Sequence, residues 1–181
     1  MKKFLLVILA CMLSVVLYAQ NNVTKFLGIP VDGTKRTMIQ KLKAKGFTYN
    51  SVDDCLEGQF NGKSVHLFVL TNNNKVWRIA VMEQVFLDEG QIKIRYNTLC
   101  EQFGNNPKYF PIDANRLSED EDISYEMSIH SKSYQATYGQ LPHDNDLTKR
   151  LVWFAILETK GEYRIAIFYD NGFNQANGED L

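Results

Sequence analysis

Three histidines, two acidic clusters and two cysteines downstream of residue 20 are the side chains whose types suit metal binding or nucleophilic chemistry. His66, His130 and His143 have no HxxxH or HExxH spacing, so tertiary structure would have to assemble any zinc site. His66 and His130 read as strand residues and His143 as a loop residue. The runs Glu119-Asp120-Glu121-Asp122 and Asp144-Asn145-Asp146 lack the turn glycine and distal glutamate of a calcium loop, and read as solvated loops. No serine lies in a GxSxG elbow, and no glycine-rich loop matches a phosphate cradle. Cys100 falls mid-helix on an apolar stripe, the setting of a structural thiol rather than a nucleophile. Catalysis, a cofactor and a metal are therefore not expected. A disulfide between Cys55 and Cys100 stays open, because spacing alone does not show that their Cα atoms come within about 7 Å.

The elements that must position these residues begin after an export signal. Lys2 and Lys3, an apolar run over 4–16 and the Tyr18-Ala19-Gln20 junction read as a signal peptide over 1–19, cleaved near Ala19. A periplasmic or secreted location follows, with no transmembrane segment after removal of the signal. Ile8-Leu9-Ala10-Cys11 resembles a lipobox, so a lipoprotein anchored at Cys11 is the alternative. Removing Lys2 and Lys3 leaves 18 basic against 21 acidic residues, a formal charge of −3. That balance argues against nucleic acid, whose phosphates demand clustered Lys and Arg. The hydrophobic share of 45% and the roughly 160 remaining residues suit one folded domain over 20–181.

Within it, Thr34 is placed to cap a helix carrying Met38, Ile39 and Leu42, closed at Gly46 with Leu42 and Phe47 in Schellman positions. Three strands follow, over 47–60, 64–71 and 76–85, the first two joined at Asn61-Gly62. A second helix opens at Asp88 with Gln91 three residues on, carries Ile92, Tyr96, Leu99 and Phe103, and ends at Gly104. After a polar connection over 105–122, alternation from Ile123 to His130 predicts a strand running on toward Tyr138. A final hairpin over 150–158 and 162–170 turns at Lys160-Gly161, and an irregular tail occupies 171–181. The fold class is α+β: two α-β-β-β halves, about 24–87 and 88–170, in one antiparallel sheet with helices on one face. A constant offset of 86 superposes Trp77-Arg78-Ile79-Ala80-Val81 on Tyr163-Arg164-Ile165-Ala166-Ile167, which reads as an internal repeat.

Gly33-Thr34, Ile39, Leu42 and Gly46 resemble the glycine-opened, glycine-closed helix of small exported α+β modules, the β-lactamase inhibitor protein family and the SmpA-type outer-membrane assembly lipoproteins. The tandem α-β-β-β plan is similar to that of the inhibitor family, although the second half lacks the opening Gly-Thr. Residues 26–33 also look like the start of exported proteins of Gram-negative anaerobes, which implies location rather than activity.

Arg78 and Arg164 occupy equivalent positions, and a guanidinium belongs on the open face of the sheet. Period two places Ala80 and Met82 with Arg78, and Ala166 and Phe168 with Arg164. The Lys160-Gly161 turn sets Leu157, Ala155 and Trp153 opposite Arg164, Ala166 and Phe168. Leu67 is the offset counterpart of Trp153, and Trp77 falls in the set expected beneath the helices. The expected site is thus an aromatic and arginine face of Arg78, Arg164, Trp153, Phe168, Met82 and Leu67, used to bind an envelope or extracellular protein or an acidic ligand. The alternatives are that the 105–122 connection or the tail covers this face, that the chain is an envelope small-ligand carrier or enzyme, and that it is an outer-membrane assembly accessory.

Overall fold

A computed structural model describes residues 23–142 and 146–175. The export signal with Ala19, the Cys11 alternative, His143 and the end of the tail lie outside the described residues. The chain opens with a two-stranded ribbon, β1 (Lys25–Phe26) and β2 (Ile29–Pro30), followed by helix α1 (Lys35–Lys43). Four strands succeed it: β3 (Thr48–Asn50), β4 (Cys55–Phe60), β5 (Lys63–Asn72) and β6 (Lys75–Glu83). Helix α2 (Glu89–Gly104), β7 (Tyr109–Asp113) and helix α3 (Ile123–His130) lead into β8 (Gln135–Gln140), β9 (Arg150–Thr159) and β10 (Glu162–Asn171). The eight strands from β3 to β10 form one antiparallel sheet in the order β3-β4-β5-β6-β10-β9-β8-β7, so β6 and β10 meet at the centre.

The helix ends form as their residues dictate. Thr34 accepts the Thr37 amide at 3.3 Å, and Asp88 and Gln91 exchange both bonds of a capping box. At the far end of α1, Gly46 adopts φ +97, and the Phe47 and Gly46 amides reach the Leu42 and Lys43 carbonyls at 3.3 and 3.0 Å. Met38 and Leu42 of α1, Ile92, Tyr96, Leu99 and Phe103 of α2 and Ile123 of α3 join one core with Val65, Leu67, Val81, Val152, Phe154 and Ile165 of the sheet. All three helices therefore cover the same sheet face, and no helix among the described residues is long and apolar enough to cross a membrane.

Three expectations require correction. The stretch 47–60 is two strands, because Asn50 Oδ1 accepts the Val52 and Asp53 amides and turns the chain back so that Asn50 faces Cys55. The 105–122 connection contains β7. Residues 123–130 form a helix rather than a strand: Asp122 caps it through the Tyr125 amide at 2.8 Å, and Glu126 meets His130 one turn on at 3.1 Å. Over eight residues, apolar side chains at i, i+2 and i+4 satisfy a strand, yet the i, i+4 subset Ile123 and Met127 equally serves a helix. The element order thus departs from two successive α-β-β-β runs: four strands follow α1, and β7 and α3 lie between α2 and β8.

Candidate functional site

The face opposite the helices is built of cross-strand rows. One row runs Phe68, Ala80, Phe168, Trp153 and Thr137 through successive Cα partners. A neighbouring row runs Leu70, Arg78, Asp170, Leu151 and Gly139, and another Glu57, His66, Met82, Ala166 and Ala155. The predicted pairings of Arg164 with Leu157, Ala166 with Ala155 and Phe168 with Trp153 are all present. Trp153 and Phe168, Cα partners across β9 and β10, stack at 4.1 Å between centroids and 22° between planes.

At the middle of this face, Arg78 lies 4.2 Å from the Trp77 ring centroid, 4.9 Å from that of Phe168 and 5.2 Å from that of Trp153. Its guanidinium donates to Asp170 through Nε at 2.6 Å and Nη2 at 2.7 Å, and the Trp153 indole donates to the same carboxylate at 2.9 Å. Arg78 is therefore neutralised within the protein. Arg164 differs: it stacks 4.7 Å from the Phe86 ring, and its buried Nε has no hydrogen-bond partner among the described residues.

Leu67 does not belong to this face. A bulge between Leu70 and Thr71 makes Val76 the partner of Thr71 and Arg78 the partner of Leu70, leaving Trp77 as the extra residue. The extra residue puts Trp77 beside Arg78 instead of beneath the helices, and Val76 takes the core position. It also shifts β5 by one residue relative to the second hairpin, which turns Leu67 into the core and Phe68 outward. Trp153, Phe168, Met82, Phe68 and Trp77 are half-buried rather than enclosed. The 105–122 connection runs over α2 instead, with Leu117 held by Asn97 and the Glu119 carbonyl held by Lys93.

The two thiols are free and lie on opposite faces of the sheet, which rules out the disulfide. Cys100 packs in the helix-covered core, where burial pushes its thiol pKa up. Cys55 is on the open face, where its sulfur and the ligand atoms of Glu57 and His66 all lie within 4.8 Å of one another. Histidine spacing along the chain hid this grouping, but the Asn61-Gly62 turn could have exposed it. That turn pairs Phe60 with Lys63, and counting back three residues pairs Glu57 with His66.

A separate cavity of about 800 Å³ opens beside the C-terminal end of α2, lined by Phe60, Phe103, Tyr109, Gln140, Arg150 and Tyr169 among others. Burial holds the Tyr169 phenol well above its ordinary pKa, so it stays neutral there. No protein-family model, curated protein or solved structure matches the chain.

Proposed function

We propose that this chain is an exported, non-catalytic binding module whose open sheet face docks a protein partner. The observation that carries this reading is the aromatic cluster of Trp77, Trp153 and Phe168 around an arginine already neutralised by Asp170. Such a cluster offers preorganised aromatic area with little ordering cost, which is how binding hot spots are made. Because the Arg78 charge is used internally, the face suits an apolar or aromatic protein surface better than an acidic ligand. Arg164, whose guanidinium lies over the Phe86 ring, would add a cation–aromatic platform at the rim. The N-terminal export pattern supports a periplasmic or secreted location, and the likeness of α1 and its glycines to inhibitor-family and SmpA-type modules supports a duplicated binding plan.

The test is cross-linked capture from the native envelope with parent protein and an Arg164→Glu, Trp153→Ala variant, both first shown to be folded. Arg78 is left intact because its removal would orphan Asp170. A partner retained by the parent and lost by the variant supports the reading. Equal capture by both overturns this face as the site.

A small-ligand carrier is the second reading, favoured by the 800 Å³ cavity and its mixture of aromatic walls and polar groups. A thermal-shift screen of small amphiphiles would support it if stabilisation is lost on enlarging Phe60 to Trp.

A further inference from the structure

We propose that Cys55, Glu57 and His66 form a transition-metal site on the open sheet face, with Zn²⁺ as the ion that their donor set fits. The proposal stands apart from the docking reading and needs no partner. Glu57 and His66 are Cα partners across β4 and β5, and Cys55 precedes Glu57 by two residues on the same side of β4. The three ligand atoms lie within 4.8 Å of one another, and His66 Nε2 stands 4.0 Å from Glu57 Oε1. Around a tetrahedral ion with bonds of about 2.0–2.3 Å, ligand atoms sit about 3.4–3.8 Å apart. The remaining closure falls on Glu57 and His66, whose side chains are 45% and 35% exposed and so have room to shift.

A second observation points to a ligand. Cys55 is 2% exposed, and its thiol has no hydrogen-bond partner among the described residues yet lies within 4.8 Å of the ligand atoms of the other two groups. Asn50 Nδ2 donates to Glu57 Oε1 at 3.1 Å and to Asp53 Oδ2 at 2.9 Å, orienting the carboxylate as outer-shell groups do in metal sites. Burial and the carboxylates of Glu57, Asp53 and Asp54 push the Cys55 thiol pKa up, and those carboxylates attract a cation. Binding releases the thiol proton to solvent and leaves a thiolate–metal bond. A sulfur, a ring nitrogen and a single carboxylate disfavour Ca²⁺ and Mg²⁺, which prefer all-oxygen shells. Three protein ligands leave the fourth tetrahedral position to water or to a side chain of another molecule.

Co²⁺ shares the tetrahedral preference of Zn²⁺ and reports thiolate bonding by a charge-transfer absorption. The full chain without a histidine tag, kept reduced, is titrated with Co²⁺ and then with Zn²⁺. The expected result is one equivalent of Co²⁺ bound with that absorption, displaced by Zn²⁺. Cys55→Ser abolishes the absorption, Cys100→Ser preserves it, and the exposed-site variants Glu57→Gln and His66→Gln each weaken binding at least about tenfold. Circular dichroism confirms that each variant is folded. No charge-transfer absorption in the parent, its survival in Cys55→Ser, or unchanged affinity in either Glu57→Gln or His66→Gln would overturn the site.

Discussion

Arg78 and Asp170 face each other as Cα partners at the seam between β6 and β10 and close a two-pronged ion pair that is mostly shielded from water. Removing one charge of a shielded pair leaves the other unpaired in a poorly hydrated place. Asp170→Asn is expected to cost roughly 3 kcal/mol in urea denaturation. The same substitution should alter tryptophan fluorescence, because Trp153 donates to Asp170. A loss below about 1 kcal/mol would put the pair in the class of solvent-screened surface bridges.

Glu121 supplies a pH dependence. Hydrogen bonds from Lys132 and from Tyr134, the latter at 2.5 Å, hold its carboxyl below the usual glutamate range. A carboxylate whose folded pKa is depressed contributes stability above its unfolded pKa of about 4.3 and loses it as pH falls through the folded value. Denaturation of the parent and of Glu121→Gln across pH 7 to 2 should show the parent's advantage intact near neutrality and vanishing in acid. An advantage that grows in acid would contradict this assignment.

Gly139 is filled by a neighbour's ring rather than by a side chain of its own. A Cβ built there would stand 2.1 Å from Phe110 Cζ, so Gly139→Ala forces the Phe110 ring off its strand. The expected cost is about 1–3 kcal/mol, the range for overpacking. In a double-mutant cycle with Phe110→Ala, most of that cost should disappear, and strict additivity would show that the ring moves aside freely.

The capping box of α2 gives a further test. Asp88→Ala removes the acceptor of the Gln91 amide at 2.8 Å and should lower stability by about 1 kcal/mol by chemical denaturation. Asp88→Ser should recover most of it, since a serine hydroxyl accepts the same bond.

Features governed by local chemistry were legible in the chain. Thr34, Gly46 and Asp88 set the helix ends, and the Lys160-Gly161 turn fixed the whole register of β9 on β10. The constituents of the site were legible only as far as that register held. One bulged residue, Trp77, reversed the predicted facing of β5 and exchanged Leu67 for Phe68, and a bulge has no marker in an alternating run of apolar residues. The Arg78–Asp170 pair was hidden for a related reason: Asp170 lies at the end of its strand, and its partner is set by how two distant hairpins abut. Residues 123–130 misled because eight residues are too few to separate period 2 from period 3.6.

The strands at the two ends of the sheet, β3 with three residues and β7 with a proline at position 111, have a bearing on how this molecule meets others. Short terminal strands and a missing amide are poor templates for adding a foreign strand by backbone pairing. Self-association into extended ribbons is thereby discouraged. Under the docking reading proposed above, recognition would be left to side chains presented broadside, and specificity would depend on ring shape and placement rather than on hydrogen bonding to a borrowed backbone.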